Sequence, residues 1–305
     1  MRRPDIEKIF TRLFSAGGAV VLLATANPCL AEMNIERAQL VSLLEHEMLT
    51  NTAWVRIHAA EALLDNGQSN RIRDSFVFEA DTASAPYRIG VWRVLARCST
   101  DGERNRYVER IRAVSRDTGA VDRISAAESL GKLNTVSRAD RDFIRQWAGS
   151  ADDATAAFPR WLLVLSSNPA ERPNDEAMLA GLLSSSDPVA RLRAAFALGR
   201  LADLSPDSMA RFRRQLRSEP ADSIARAYLV TGLLLHSPES SAAGLLEAEA
   251  IHYLNNGKPN EQLEVGIVIG LRGKSEGLKT LIPVLSNPES DARIGAASGM
   301  LHLLK

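Results

Sequence analysis

The sequence predicts an all-α protein whose residues 32–305 form a right-handed α-α superhelix of about eight helix pairs. From about residue 35 onward, runs of roughly 12 to 17 residues place apolar side chains at every third or fourth position, which is the period of an amphipathic helix. Clusters of Gly, Asn, Asp, Ser and Pro, such as DNG, SSSDP and SNPESD, separate these runs as turns do. Alternating β-branched residues, which would indicate strands, are almost absent.

An internal repeat supports this fold class. The segments WVRIHAAEALL, VDRISAAESLGKL, DPVARLRAAFALGRL and DARIGAASGMLHL can be aligned, and the copies follow one another at an average spacing of about 34 residues. A second amphipathic segment, such as ERAQLVSLLEHEML, precedes each copy. The copies share one aligned position, which is occupied by Arg56, Arg88, Arg123, Thr155, Arg191, Arg226, Glu264 and Arg293. A period of this length with small Ala-Ala or Gly packing positions is typical of stacked helix pairs.

The copy DPVARLRAAFALGRLAD resembles the short HEAT-like repeats of the phycobilisome-lyase type. Their hallmark is Asp-Pro, then a Val-Arg-like pair, then Ala-Ala and Ala-Leu-Gly. The resemblance extends over about residues 35 to 305 and is specific in the first, third, fifth and eighth units. It implies a HEAT-like solenoid whose second helices line the concave side. Most proteins with such repeats bind partners, and a minority are enzymes.

The first 31 residues have the pattern of a signal peptide. Arg2, Arg3, Lys8 and Arg12 precede an apolar run at residues 16–26, which is too short to span a bilayer. Small residues permit cleavage after Ala26 or after Ala31. We therefore expect a periplasmic or secreted protein with no membrane span after cleavage, an ordinary buried helix at residues 16–26 being the alternative.

Charge and cysteine content exclude several classes of protein. The 305 residues include 37 basic and 37 acidic side chains, so the concentrated basic surplus needed to bind nucleic acid or an anionic membrane is missing. The two cysteines, Cys29 and Cys98, form no CxxC motif, so we expect neither a disulfide framework nor a cysteine-based metal site.

A helical projection at about 100° per residue separates a core face from a polar face in the first repeat. Trp54, His58, Glu61 and Asp65 lie opposite the apolar residues of this segment. The position of His58 is occupied by small residues in the next three copies and by Arg193 in the fifth. This pattern predicts a trough between His58 and Arg193. We therefore predict a site for a polar or anionic ligand, such as a saccharide, formed by Trp54, His58, Glu61, Arg93, Arg97 and Arg193. A ladder of solvated ion pairs along the repeats is the alternative.

The C-terminal half of the repeat array is more apolar. Residues 224–236 and 264–271 are apolar almost all round, and a helix without a polar face must be covered. We predict a partner-protein interface at Tyr228, Leu235 and Ile269, with coverage by the chain itself as the alternative. The last segment, SGMLHLLK, lacks a polar capping repeat, which predicts a further exposed docking face.

The sequence offers little that would support catalysis. It contains no GxSxG, phosphate-binding GxxxxGKS or GxGxxG motif. Deoxyhypusine hydroxylases, which have similar repeats, bind two irons through His-Glu dipeptides on second helices, whereas this chain has Ile57-His58-Ala59 at the matching position. We therefore predict no catalytic residue, metal or cofactor, and a non-catalytic exported scaffold that binds another protein. A lyase-like or metal-dependent HEAT-repeat enzyme is a weaker alternative.

Overall fold

The computed structural model describes residues 35–69, 71–237 and 243–305, and the predicted signal peptide with its two cleavage positions lies outside these ranges. Within them the protein is all-helical, with 16 α-helices and no strand, which confirms the predicted all-α class. None of the helices in the described ranges combines the length and the apolar character that crossing a bilayer requires.

The helices alternate between two sets along the chain. The outer helices are α1 (Arg37–Thr50), α3 (Ile72–Phe76), α5 (Asp101–Arg116), α7 (Arg141–Ser150), α9 (Arg172–Gly181), α11 (Pro206–Ser218), α13 (Ala243–Asn256) and α15 (Glu276–Leu281). The inner helices are α2 (Ala53–Asp65), α4 (Tyr87–Cys98), α6 (Arg123–Leu133), α8 (Asp153–Ser166), α10 (Pro188–Gly199), α12 (Arg226–His236), α14 (Pro259–Leu271) and α16 (Ser290–Leu303). Short 3₁₀ helices extend or precede four outer helices, at Val77–Glu79, Arg138–Asp140, Leu182–Ser184 and Ile282–Ser286.

Several helices begin at residues that satisfy their free backbone N–H groups. The Asp187 side chain accepts a hydrogen bond from the backbone N–H of Val189, and Pro188 follows it as the first residue of α10. Asp152 caps α8 in the same way, through the backbone N–H of Thr155. An acidic or hydroxyl cap followed by proline is a strong start signal, so the Asp-Pro of the repeat places the beginning of α10.

Small residues allow the inner helices to approach one another closely. Gly199 of α10 faces Gly232 of α12, and a Cβ atom built on Gly199 would lie 3.0 Å from the Cα of Gly232. Ala194, Ala195 and Ala197 of α10 are fully buried. Each inner helix packs on the next one, because alanine and glycine leave room for the neighbouring backbone. The Ala-Ala and Gly positions of the repeat therefore lie where inner helices pack together.

The recurrent arginine of the repeat links one unit to the next through a contact that we term the arginine bridge. Arg191 donates Nη1 to the carbonyls of Ser185 and Ser186 in the turn before its own helix, at 2.8 and 3.0 Å. Its Nε and Nη2 bind the Glu219 carboxylate of the following unit at 2.8 and 2.7 Å. Arg226 repeats this pattern with Glu249, and Arg88 binds Asp122 of the next unit. The arginine is thus a structural element of the repeat.

The arginine bridge also joins the last unit to the first. Arg293 donates Nη1 to the carbonyls of Asn287 and Pro288 and donates Nε to the Glu47 carboxylate on α1 at 2.6 Å. Helix α16 packs on both α1 and α2. The expectation of an exposed last face is therefore wrong, because the inner helices form a closed ring in which α1 and α2 cover the end of the array.

A second contact identifies the last unit as the neighbour that precedes the first. Arg104 of α5 donates to the carbonyl of Ala96 at the end of the previous inner helix and to that of Leu133 at the end of its own. Arg37 of α1 makes the same two contacts, with Asn66 of its own unit and with Leu301 of α16. The seam between the last and first units therefore uses the contacts of an internal interface.

This closure makes a direct prediction for the seam. Replacing Arg293 by alanine leaves the Glu47 carboxylate, which is only 2% exposed, without its cation, and we expect a loss of about 2 kcal/mol in the free energy of unfolding. Arg191→Ala is the matched internal control, because its partner Glu219 is 3% exposed, and it should cost a similar amount. Urea denaturation of both variants measures these losses in the free energy of unfolding. In an open array Arg191→Ala would still remove the bridge to Glu219. Arg293→Ala would then remove only hydrogen bonds within its own unit, such as those to Asn287 and Pro288, and should cost clearly less.

Candidate functional site

The polar residues of the first three inner helices meet at the inner surface of the ring. Arg93 of α4 donates Nε to the Glu61 carboxylate of α2, and its Nη1 donates to Ser129 Oγ of α6 at 2.7 Å. Arg93 is only 2% exposed, although the helical projection placed it on a solvent-facing side. The projection considered one helix at a time, and side chains of the two neighbouring inner helices cover Arg93. Glu61 and Arg93 of the predicted site are therefore brought together, but they bind each other.

Electrostatic pairing outweighs the burial of these groups. Burial alone would raise the pKa of Glu61, but the positive charge of Arg93, with a contribution from Lys132, holds that pKa far below its usual range. The pKa of Glu128 is also lowered, because Lys132, at 2.8 Å, and Arg93 overcome the effect of its burial. Two carboxylates and two cations thus stay ionised near one another at neutral pH, in a network with nearly balanced charge.

Aromatic side chains fill the space beside this network. The Arg200 guanidinium lies 3.4 Å from the centroid of the Phe196 ring, and Lys132 Nζ lies 5.4 Å from it. Trp161 contacts the same ring edge to face at 6.2 Å. Lys132 belongs to α6 and Phe196 to α10, which are not adjacent in the ring, so side chains from separate units meet at its centre. Arg200 also reaches two units forward and binds Glu264 at 2.8 Å.

The other residues of the predicted N-terminal site also have partners within the chain. His58 Nδ1 lies 2.9 Å from Asp291 Oδ1 across the seam, and Arg97 binds Asp65 at 2.6 Å. Arg193 donates to the backbone carbonyl of Ala154, and burial lowers the pKa of its guanidinium. The predicted cations of the site are thus engaged by protein atoms, which reduces their capacity to bind an anionic ligand.

The predicted trough between His58 and Arg193 is filled. A Cβ atom built on Gly90 would lie 2.9 Å from the Ile57 side chain and 3.1 Å from that of Trp54. Ala157, at the equivalent position of the fourth unit, is fully buried. The small residues at this position serve close helix packing, so the prediction of an open trough is corrected. Trp54 packs partly against the core and covers Gly90.

Three side chains of the metal-ligand type follow one another on α1, at Glu45, His46 and Glu47, and a free thiol lies at Cys98. Glu47 of the Glu45-His46-Glu47 triplet accepts hydrogen bonds from Arg293 and Asn51. Among the described residues, no three His, Cys, Asp or Glu side chains are grouped so that they could hold a metal ion. Burial raises the pKa of the half-buried Cys98 thiol to about 11, so at neutral pH this group is protonated and a poor nucleophile.

A largely apolar groove opens on the outer side of the C-terminal half. It has a cavity volume of about 120 Å³ and lies between α13, the ends of α12 and α14, and α15. Its floor is apolar and is formed by Leu234, Ala250, Ile251, Ile269 and Gly277. Charged residues form its rim: Glu247 binds the exposed Lys274 and the buried side chain of Arg272, each at 2.6 Å, and the exposed Glu276 also lines the groove. This combination of an apolar floor and a mixed-charge rim suits a protein segment with one apolar face.

Only part of the predicted C-terminal interface lies in this groove. Ile269 lines it, whereas Leu235 and Tyr228 do not, and all three side chains pack partly against the hydrophobic core. Burial is the main reason why the pKa of the Tyr228 hydroxyl is raised. The projection missed Ile251, which is 37% exposed on α13, because only inner helices were considered. The sequence did contain a signal for Ile251, because this isoleucine lies outside the buried stripe of α13 that Ala250 and Leu254 form.

Comparisons with known proteins assign no family: the sequence matches no protein-family model, and no curated protein matches it. A function for this chain therefore rests on its sequence pattern and on the geometry described above.

Proposed function

We propose that the protein is a non-catalytic, exported binding scaffold, a HEAT-like repeat array that binds a partner protein in the groove between α13, α14 and α15. The observation that carries this proposal is the exposed apolar floor at Ile251 and Ile269. Removing apolar surface from water is favourable, so a partner that covers this floor is stabilised in its bound state. The signal-peptide pattern of residues 1–31 supports a partner in the periplasm or outside the cell.

The shape of the groove favours an amphipathic helix as the bound segment. The groove lies between helices, so a further helix can pack there as the existing helices pack on one another. Its cavity volume of about 120 Å³ accommodates roughly one or two apolar side chains rather than a folded domain. Lys274 and Glu276 are exposed at the rim and can pair with charges of either sign on the polar face of that helix.

Site-specific crosslinking tests this function. A photo-crosslinking amino acid at position 251 should capture a distinct protein from a periplasmic extract, and the same group at position 78, which lies in another unit of the ring, should not. Ile251→Asp should weaken the interaction with the captured protein at least about tenfold, since loss of a central contact often costs 2 kcal/mol or more. Its melting temperature should change little, because Ile251 is 37% exposed.

A milder variant tests whether misfolding, and not the loss of a groove contact, causes the weaker binding of Ile251→Asp. Ile269→Ala shortens a second floor residue without introducing a charge, and it should weaken the same interaction to a smaller extent. Equal capture by positions 251 and 78, or unchanged affinity in both groove variants, would show that the groove is not the binding site.

A further inference from the structure

Three exposed apolar side chains lie in or next to the connections from outer to inner helix in the first three units. Leu49 is 67% exposed, Phe78 is 85% exposed and Val121 is 87% exposed. Each lies at the end of an outer helical segment or in the turn that leads to an inner helix. We refer to these three residues as the turn row. Isolated apolar residues are common on protein surfaces, but one at this connection in three successive units is a repeated feature.

The arginine bridges place the turn row on one face of the ring. Phe78 precedes Glu79, which binds Arg56 of the first unit. Val121 precedes Asp122, which binds Arg88 of the second unit. Leu49 follows Glu47, the acidic partner at the seam, by two residues. Each bridge joins the N-terminal part of one inner helix to the end of the outer segment, or to the connection after it, in the next unit. The three connections therefore lie on one face of the ring in successive units, with roughly 10 Å between units.

The turn row is confined to one sector of the ring. The equivalent turns of the remaining described units are polar and contain Ala151-Asp152, Ser186-Asp187, Ala221-Asp222, Gly257-Lys258 and Pro288-Glu289. The chain therefore carries large apolar side chains in the turns of the first three units and small or polar ones in the others. This asymmetry gives one face of the ring a defined apolar sector.

The shape and charge of this sector indicate what it contacts. A side chain that is 85% exposed has solvent on almost all sides, so Phe78 projects from the surface and does not line a groove. The acidic groups next to the row are each paired: Glu47 with Arg293, Glu79 with Arg56, and Asp122 with Arg88. A row of projecting apolar tips on a face without net charge suits a flat, soft and electrically neutral surface.

We propose that the turn row docks the protein on a zwitterionic lipid surface, with Leu49, Phe78 and Val121 inserted between headgroups and acyl chains. Binding of this kind scales with the apolar area that leaves water, so three side chains give weak and reversible association. A protein partner is less well matched, because binding hot spots are typically packed centrally into pockets, and these three tips project singly from the surface.

Vesicle binding tests this proposal. The purified protein should cosediment with phosphatidylcholine vesicles, and Phe78→Glu should lower the partition coefficient at least tenfold. Leu49→Glu and Val121→Glu should each lower it several-fold, and the triple variant should remain in the supernatant. Leu245→Glu on α13 is the matched control, because Leu245 is 79% exposed and lies outside the row, and its partition should equal that of the unchanged protein.

Three outcomes would overturn the proposal. The unchanged protein could fail to cosediment with these vesicles, or Leu245→Glu could reduce binding as much as Phe78→Glu. Light scattering could instead show that the row variants dissociate a dimer, which would assign the row to contact with a second copy. All three row variants should keep their melting temperature, because the replaced side chains are exposed, so loss of binding can be separated from unfolding.

Discussion

Replacing Gly270 by alanine is expected to lower the free energy of unfolding by about 3 kcal/mol, toward the upper end of the effects of overpacking. Helices α14 and α16 cross at two glycine pairs, Gly266 with Gly295 and Gly270 with Gly299. A Cβ atom at Gly270 would overlap the backbone of Gly299, and backbone atoms cannot move aside as a flexible side chain can. The two helices would have to separate, and their separation would loosen the ring next to the seam.

Gly149→Ala is the control for this prediction. Gly149 lies in the last turn of α7, and a Cβ atom there meets nothing within 4 Å. Alanine is the better helix former, so this variant should gain up to about 0.5–1 kcal/mol. Urea denaturation followed by circular dichroism measures both effects. Similar changes in the two variants would contradict the close crossing of α14 and α16.

Replacing Glu61 by alanine is expected to cost about 3–5 kcal/mol, because it leaves the Arg93 guanidinium buried without its carboxylate. Arg93 is 2% exposed, so water cannot substitute for the lost partner. Asp65→Ala is the matched control on the same helix. It breaks the Arg97–Asp65 pair, in which Asp65 is 45% exposed, and should cost no more than about 1 kcal/mol. Equal losses would show that the centre of the ring is solvated.

A second variant separates burial from pairing. Combining Glu61→Leu with Arg93→Met removes both charges while keeping most of the volume, and replacement of a buried ion pair by apolar groups is often neutral or stabilising. The double variant should therefore be more stable than Glu61→Ala. This comparison tests whether the cost of the single substitution comes from the unpaired Arg93 charge.

The Glu61–Arg93 pair also makes the free energy of unfolding depend on pH in the acidic range. The pKa of Glu61 in the folded protein lies below its value in the unfolded chain, about 4.3. Its contribution is therefore complete above that unfolded value and is lost as the pH falls toward the lower folded value. Glu61→Gln should accordingly reduce stability at pH 7 and lose less further stability between pH 5 and pH 3 than the unchanged protein does.

The positions of the helices could be read from local pattern. Asp187-Pro188 marks the beginning of α10, and the apolar period continues to its end at Gly199. A helical projection of α4 places Trp92 on its apolar face, and the indole is buried and donates a hydrogen bond to the carbonyl of Ala80. These features depend on residues within one or two helical turns, so the sequence alone contains the information that determines them.

The sites could be predicted only in part, because they depend on which helices meet. Trp54, His58 and Glu61 share one face of α2 in any helical projection, but their partners Asp291 and Arg93 come from other units. His58 and Asp291 are separated by 233 residues, and no pattern within a repeat relates them. The groove at Ile251 likewise requires α13, α14 and α15 to be placed together.

The sequence by itself determined the all-α class, the alternation of outer and inner helices, the small residues between inner helices and the arginine that recurs in the repeat. Only the tertiary structure decided that the array closes. Closure depends on the small rotation between successive units, which adds up along the chain and is invisible in any single repeat. When the ring closes, Arg293 reaches Glu47, and His58, at one end of the expected trough, reaches Asp291. Arg93 is buried between Glu61 and Ser129 because neighbouring inner helices pack together, which no single repeat reveals.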